Sequence, residues 1–343
     1  MMLAPTLCGC ESRTAGTASK DTASKDTASK NATTPAAEAE LVIRLGVQYD
    51  ASQKAWVAAD AVRRELQQRS GGRIQVRFYD SGMLGAEREL LEQCYLGILD
   101  MVQVTSSVVT TLDPVYNTLD MPYLFVDEDH QRRVLSGPIG QELMDDLGGY
   151  RLQGLAFYCF GFRNVFTSTG RPIASLEDME GLKIRVMESP VMIQTLNATG
   201  ASAVPLNAAE LYSALKTGVV DGAENNPQTF ISAHFSDSCK HYSYTRHFGN
   251  QAIMVANKEW LDGLDPELQD LVRRVPREVV AEFDAAWAEA IDEALSAMDR
   301  EGVTVNQIED ITPFIQRVQP IYDQYQDTVP PELVRRIRAE ARP

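Results

Sequence analysis

From Leu41 onward the spacing of apolar positions switches repeatedly between a period of two and a helical period, so strands and helices alternate along the chain. Leu41-Val42-Ile43-Arg44-Leu45-Gly46-Val47 reads as a strand, and Ala55 to Gln68 as an amphipathic helix stopped by Ser70-Gly71-Gly72. Arg73 to Phe78 alternates as a strand, Ala86 to Leu96 is helical before Gly97, and Met101 to Val104 is a short strand. Asp127 to Leu147 predicts helix with a break at Gly137-Pro138, and Leu152 to Phe160 is apolar enough for a buried strand. The style then repeats: a strand at 182–187, helices near 190–198 and 207–217, a strand at 219–224, and strands near 240–246 and 251–256. After Pro276, the residues Val280, Phe283, Trp287, Ile291, Leu295 and Met298 share one face of a long helix ending near Gly302, and they read as core. Shorter helices near 312–326 and 331–341 follow. Two successive α/β sets imply two lobes with largely parallel sheets.

The first forty residues follow no such pattern. Residues 1–10 are short and apolar and end on Leu7-Cys8-Gly9-Cys10, which resembles a bacterial lipobox whose final cysteine, Cys10, is lipidated. No Lys or Arg precedes the apolar part. Residues 11–40 contain Thr17-Ala18-Ser19-Lys20-Asp21, Thr22-Ala23-Ser24-Lys25-Asp26 and Thr27-Ala28-Ser29-Lys30-Asn31 in tandem. Small polar repeats with balanced charge bury too little to offset backbone ordering, so this segment reads as a disordered tether.

Composition narrows the function. The 343 residues carry a formal net charge of -16, which argues against nucleic acid or an anionic membrane surface as partner. The expected membrane contact is through the lipid alone. Cys94, Cys159 and Cys239 have no CxxC or metal spacing, and read as small buried residues with room for one disulfide in an oxidising compartment. There is no GxxxxGK[ST], GxGxxG after a strand, GxSxG or HExxH, and His130, His234, His241 and His247 match no common metal spacing. No metal, cofactor or catalytic centre is therefore expected.

What remains is a layout for holding a small organic anion. The strand Leu182 to Met187 carries Arg185 in alternation with Ile184 and Val186, pointing away from the apolar side together with Lys183. Arg163 follows Gly161-Phe162 at the end of the strand 152–160, in a polar turn region. Asn225 closes the strand 219–224 beside Asn226-Pro227. The planar fork of an arginine meets both oxygens of a carboxylate at once, and open α/β sheets keep their ligands at strand ends. Taken singly, each of these also fits a structural role, as a solvated or packed arginine or a turn asparagine.

At these residues the chain resembles the DctP-type substrate-binding proteins of tripartite ATP-independent periplasmic (TRAP) transporters. The resemblance runs from about Leu41 to about Gln326, and is most specific in Gly181-Leu182-Lys183-Ile184-Arg185-Val186, Glu210-Leu211-Tyr212-Ser213-Ala214-Leu215 and Thr217 to Asn225. Leu84-Gly85-Ala86-Glu87-Arg88-Glu89 and Gly97-Ile98-Leu99-Asp100 fit it as well. It implies a two-lobed, periplasmic-binding-protein-like α/β fold with mixed, mainly parallel sheets and a long lobe-spanning C-terminal helix. Lobe 1 would take 41–162 with 251–275 returning to it, lobe 2 would take 163–250, and 276–343 would hold the spanning and C-terminal helices. It further implies a monomeric extracytoplasmic, periplasmic receptor that hands an organic acid to a permease pair.

By the same resemblance Arg185 is the principal carboxylate-binding arginine, Arg163 the second, and Asn225 the second-lobe asparagine. Glu87 faces the ligand from the first lobe, and Gln48 sits where a first-strand polar side chain often does. Two departures bear on specificity. Ala208 stands where many members place a ring, and Glu188 adds an acceptor where a simple dicarboxylate would meet repulsion. With the doubled Asn225-Asn226 these point to a hexuronate or related sugar acid. A C4-dicarboxylate in the same role, an enzyme using Glu87 and Glu188 as acid and base, and a ligand-presenting partner of a membrane sensor remain as alternatives.

Overall fold

The computed structural model describes residues 39–341; the lipobox with Cys10 and the repeat tether lie outside the described residues. Nine strands are joined in one hydrogen-bonded sheet: β1 (Leu41–Val47), β2 (Ile74–Tyr79), β3 (Met101–Thr105), β4 (Leu152–Thr167), β5 (Lys183–Val186), β6 (Ser202–Pro205), β7 (Gly222–Asn225), β8 (His241–Asn257) and β9 (Thr304–Gln307). The order is β2-β1-β3-β8-β4-β7-β5-β6, with β9 beside β8. Pairing is parallel within β2-β1-β3 and within β7-β5-β6, and β8 takes β9 parallel. The β3-β8, β8-β4 and β4-β7 ladders are antiparallel. This is the mixed, mainly parallel α/β architecture expected. A single sheet joins its halves, because β4 and β8 each run through both. The lobe limits at 162/163 and 250/251 therefore cut through these two strands rather than between elements.

Both strands are longer than their patterns predict. The strand expected to stop at Phe160 continues to Thr167, passing Gly161 with a φ of +69° at a register shift. The two strands expected near 240–246 and 251–256 are one, kinked at Arg246, whose φ is +46°. Arg163 thus sits inside a central strand, and its expected polar turn does not exist. Two further boundaries move. The strand ending in Asn225 starts at Gly222, because the amide of Val219 is used to close the preceding helix on Ala214 O. The long helix starts before Pro276, as Pro266–Glu278 followed across Val279 by Val280–Arg300, with Pro276 near the end of its first part.

Side chains alternate across the sheet into separate cores. Along β8, Ile253 and Val255 enter the core built with Tyr116, Leu119 and Phe157. Ala252, Met254 and Ala256 face the opposite core with Tyr158, Phe160, Phe283 and Trp287. In the other half, Phe166, Ala223 and Tyr242 pack beneath one face, and Val165, Ile184, Val186 and Phe248 beneath the other. Cys94, Cys159 and Cys239 are free and buried, as small core residues. No helix among the described residues is long and apolar enough to cross a membrane.

Candidate functional site

The parallel strands of both halves end at one cleft, and the crossing strands β4 and β8 form its floor. Gln48 and Tyr49 follow β1, Thr105 ends β3, Arg185 lies on β5 and Asn225 ends β7. A cavity of about 210 Å³ is lined by Gln48, Glu87, Arg163, Arg185 and Asn225, with Asn250 from β8. A smaller one of about 70 Å³ shares Gln48, Glu87 and Arg185 and adds Glu188. All six residues singled out in the sequence thus converge on adjoining spaces, though they are not equivalent.

Arg185 and Arg163 are 3 % and 2 % exposed, yet their charges are answered differently. Arg163 is closed onto Glu224: Nη2 donates to Oε1 and to the backbone carbonyl, each at 2.9 Å, and Nε donates to Oε2. Only Nη1 reaches past, donating to Asn250 Oδ1 at 3.3 Å. Its guanidinium is held above its ordinary range because the Glu224 carboxylate overcomes the cost of burial. Arg185 has no carboxylate within ion-pair reach among the described residues. Its Nε and Nη2 donate to Leu206 O at 2.9 and 2.6 Å, and no acceptor among the described residues engages Nη1. Burial, with the nearby Arg163 charge adding to it, pulls its pKa down to about 10. A desolvated cation without a counter-ion is costly, which singles Arg185 out as a candidate for holding an external anion.

The first-half wall offers oxygens and amides. Glu87 opens the helix Glu87–Tyr95, and burial pushes its carboxyl above the usual range. Its Oε1 accepts from Tyr49 OH at 2.8 Å and Thr105 N at 3.1 Å, and its Oε2 accepts from Thr105 Oγ1 at 2.6 Å. Oε2 retains acceptor capacity. Gln48 Oε1 accepts from the Glu87 amide at 3.1 Å, which leaves its Nε2 as a free donor. Asn225 is oriented in the same way. Its Oδ1 accepts from Asn226 N at 2.9 Å and Asn250 Nδ2 at 3.4 Å, so its Nδ2 is left to donate. Glu188 is exposed, with no hydrogen-bond partner among the described residues.

Sequence reasoning missed Tyr49, Thr105, Glu224 and Asn250, which fix the orientation of the residues it found. Asn250 was hidden because the bulge at Arg246 interrupts the strand pattern just before it. The missing ring at Ala208 is offset by Tyr49, Phe160 and Phe235, which line the larger cavity from other elements. Behind Glu224, His247 Nδ1 lies 2.7 Å from the Thr245 hydroxyl, which also accepts from Val165 N at 3.1 Å. Its Nε2 lies 3.8 Å from Glu224 Oε2. That ring stays neutral: burial first, and Arg163 second, lower its pKa to about 3. Among the described residues no group of three or more His, Cys, Asp or Glu is disposed to hold a metal.

Residues 48–328 match the family described as bacterial extracellular solute-binding protein, family 7 (DctP). A TRAP periplasmic solute-binding protein from Xanthobacter autotrophicus with bound β-D-galacturonate is 33 % identical, with a TM-score of 0.82 over 87 % of this chain and 99 % of that one. Its counterpart from Pseudomonas putida with bound D-glucuronate is 33 % identical, with a TM-score of 0.83 over 87 % and 97 %. The 2,3-diketo-L-gulonate-binding periplasmic protein YiaO of Escherichia coli is 31 % identical over 77 % of this chain and 80 % of its own length.

Proposed function

This chain belongs to the DctP family of bacterial extracellular solute-binding proteins, and from that premise we propose that it is the receptor of a TRAP transporter for a hexuronate such as D-galacturonate or D-glucuronate. The observation that carries the ligand class is the unequal commitment of the two buried arginines. Arg185 has a counter-ion to gain, whereas Arg163 is already neutralised by Glu224. One carboxylate is therefore accommodated by a buried cation, and a second would meet only Arg88, an exposed guanidinium on the lining of the smaller cavity. The remaining groups, Nε2 of Gln48, Nδ2 of Asn225 and Oε2 of Glu87, suit hydroxyls. A sugar monoacid uses all of them, and a C4-dicarboxylate does not.

In this reading the ligand bridges both walls, shifts the population toward the closed form, and leaves unchanged when the permease takes it. Acid-base chemistry between Glu87 and Glu188 is poorly served, since Glu87 is hydrogen-bonded on both oxygens and Glu188 is exposed. The protein acts as a monomer in the periplasm, held to a membrane by lipid on Cys10. Intact mass of the membrane-extracted protein checks the anchor. A thermal-shift panel checks the ligand class: D-galacturonate and D-glucuronate should raise the melting temperature while succinate and malate leave it unchanged. A shift with the dicarboxylates and none with the uronates sinks the reading.

A further inference from the structure

Next to the arginine strand, a buried carboxylate without an ion-pair partner among the described residues joins hydroxyls from the two sides of the smaller cavity. Asp120 ends the turn of 3-10 helix Pro114–Asp120 and is fully buried. Its Oδ1 accepts from Ser107 Oγ at 2.6 Å and its Oδ2 from Ser189 Oγ at 2.7 Å. Ser107 lines that cavity on the side of Gln48 and Glu87, and Ser189 on the side of Arg185 and Glu188. Ser189 is also the cap of the helix Pro190–Ala198, so the strand carrying Arg185 runs through Val186-Met187-Glu188 directly into this contact.

Two neutral hydroxyls are weak compensation for burying a carboxylate. Burial pushes the Asp120 pKa up to about 6, against the two serine hydrogen bonds and the Arg163 charge, with Glu224 adding to the rise. An apolar side chain here would pack at lower cost. What only a carboxylate supplies is two ionised acceptor oxygens on one rigid group, one for each wall.

We propose that Asp120 is a positioning residue for ligand capture, clasping the Ser107 wall to the Ser189 end of the arginine segment and so setting the span between Arg185 and the hydroxyl-binding groups Gln48 and Glu87. The inference rests on the reading of this cleft as a sugar-acid site, and its test separates the two. Ser107→Ala removes one arm of the clasp while leaving Asp120 and the helix cap in place; Ser107→Thr keeps the hydroxyl.

With D-galacturonate, the Ala variant should dissociate about 10-fold faster, the loss expected for one hydrogen bond to a charged group. The Thr variant should behave as wild type. In the ligand-free protein, the amides of residues 186–189 should exchange hydrogen about 10-fold faster in the Ala variant while those of β1 exchange as in wild type, the melting temperature falling by only the few degrees that one buried hydrogen bond accounts for. Wild-type dissociation and wild-type exchange in the Ala variant would overturn the clasp, as would losses that merely track a lowered melting temperature. If wild type itself takes no uronate, the ligand reading fails while the exchange measurement still decides the clasp.

Discussion

Arg163 and Arg185 are equally buried, and their substitution should have opposite signatures. Truncating Arg185 removes a group bonded, among the described residues, only to the Leu206 carbonyl, so Arg185→Ala should weaken uronate binding about 10- to 100-fold with little change in the stability of the empty protein. Arg163→Met strands the Glu224 carboxylate without its partner, which should lower stability by about 3–5 kcal/mol in urea unfolding. Equal stability loss for both would erase the distinction. Alternation along β5 set Arg185 apart from Ile184 and Val186 in the sequence, but taken alone it fitted a solvated strand arginine, and only the family motif made it a candidate anchor. The pairing of Arg163 was not legible, because Glu224 is 61 residues away and meets it only through the β4-β7 ladder.

A second residue-scale prediction concerns acid. His247 has a folded pKa of about 3 against an ordinary 6.5, so its contribution to stability is complete above pH 6.5 and is lost as pH falls toward 3. Asp120, raised to about 6, acts in the opposite sense: its burial cost applies above pH 6 and is relieved as pH falls. Each pH unit in these windows corresponds to about 1.4 kcal/mol. Between pH 7.5 and 5, His247→Gln should therefore lose about 2 kcal/mol less stability than wild type. Parallel pH profiles for the two proteins would show that the ring is charged in the fold.

Among the elements, β7 is a short link between site and scaffold, four residues long like β5. It carries Glu224 and Asn225, and its first residue approaches β4 so closely that a Cβ on Gly222 would lie 2.2 Å from Phe166 O. Backbone cannot yield as a flexible side chain does, so Gly222→Ala should push β7 off β4, destabilise by about 1–3 kcal/mol, and weaken ligand binding by shifting Asn225. Wild-type affinity in that variant would show that the asparagine is placed from elsewhere. The motif around Gly222 was visible in the sequence, and so were the helices with intact periodicity, such as Glu128–Ser136 broken at Gly137 from Pro138–Asp146. The elements that escaped are those whose pattern is cut by geometry or too short to show one. β4 and β8 pass bulges that reset alternation, and β6 and β9 are four-residue strands given meaning only by their neighbours. Pro276 was read as a helix boundary, but at the C-terminal end of Pro266–Glu278 little helix remains for it to disrupt.

On the scale of the whole molecule, an anion must reach Arg185 against a formal net charge of -16. The two fields differ in range. The surface charges act over a Debye length, about 30 Å at 0.01 M salt and about 8 Å at 0.15 M. The guanidinium acts within a desolvated cleft where salt penetrates little. Adding salt over that range should therefore raise the association rate of D-galacturonate, by removing long-range repulsion, and leave its dissociation rate nearly unchanged. Stopped-flow binding at the two ionic strengths separates the terms. A falling association rate would mean that the cleft presents a net positive field to solvent, and that neutralisation of Arg163 by Glu224 does not leave Arg185 as its one free buried cation. The sign of the salt effect thus tests, from outside the cleft, the same unequal commitment of two arginines on which the choice of a monoacid rests.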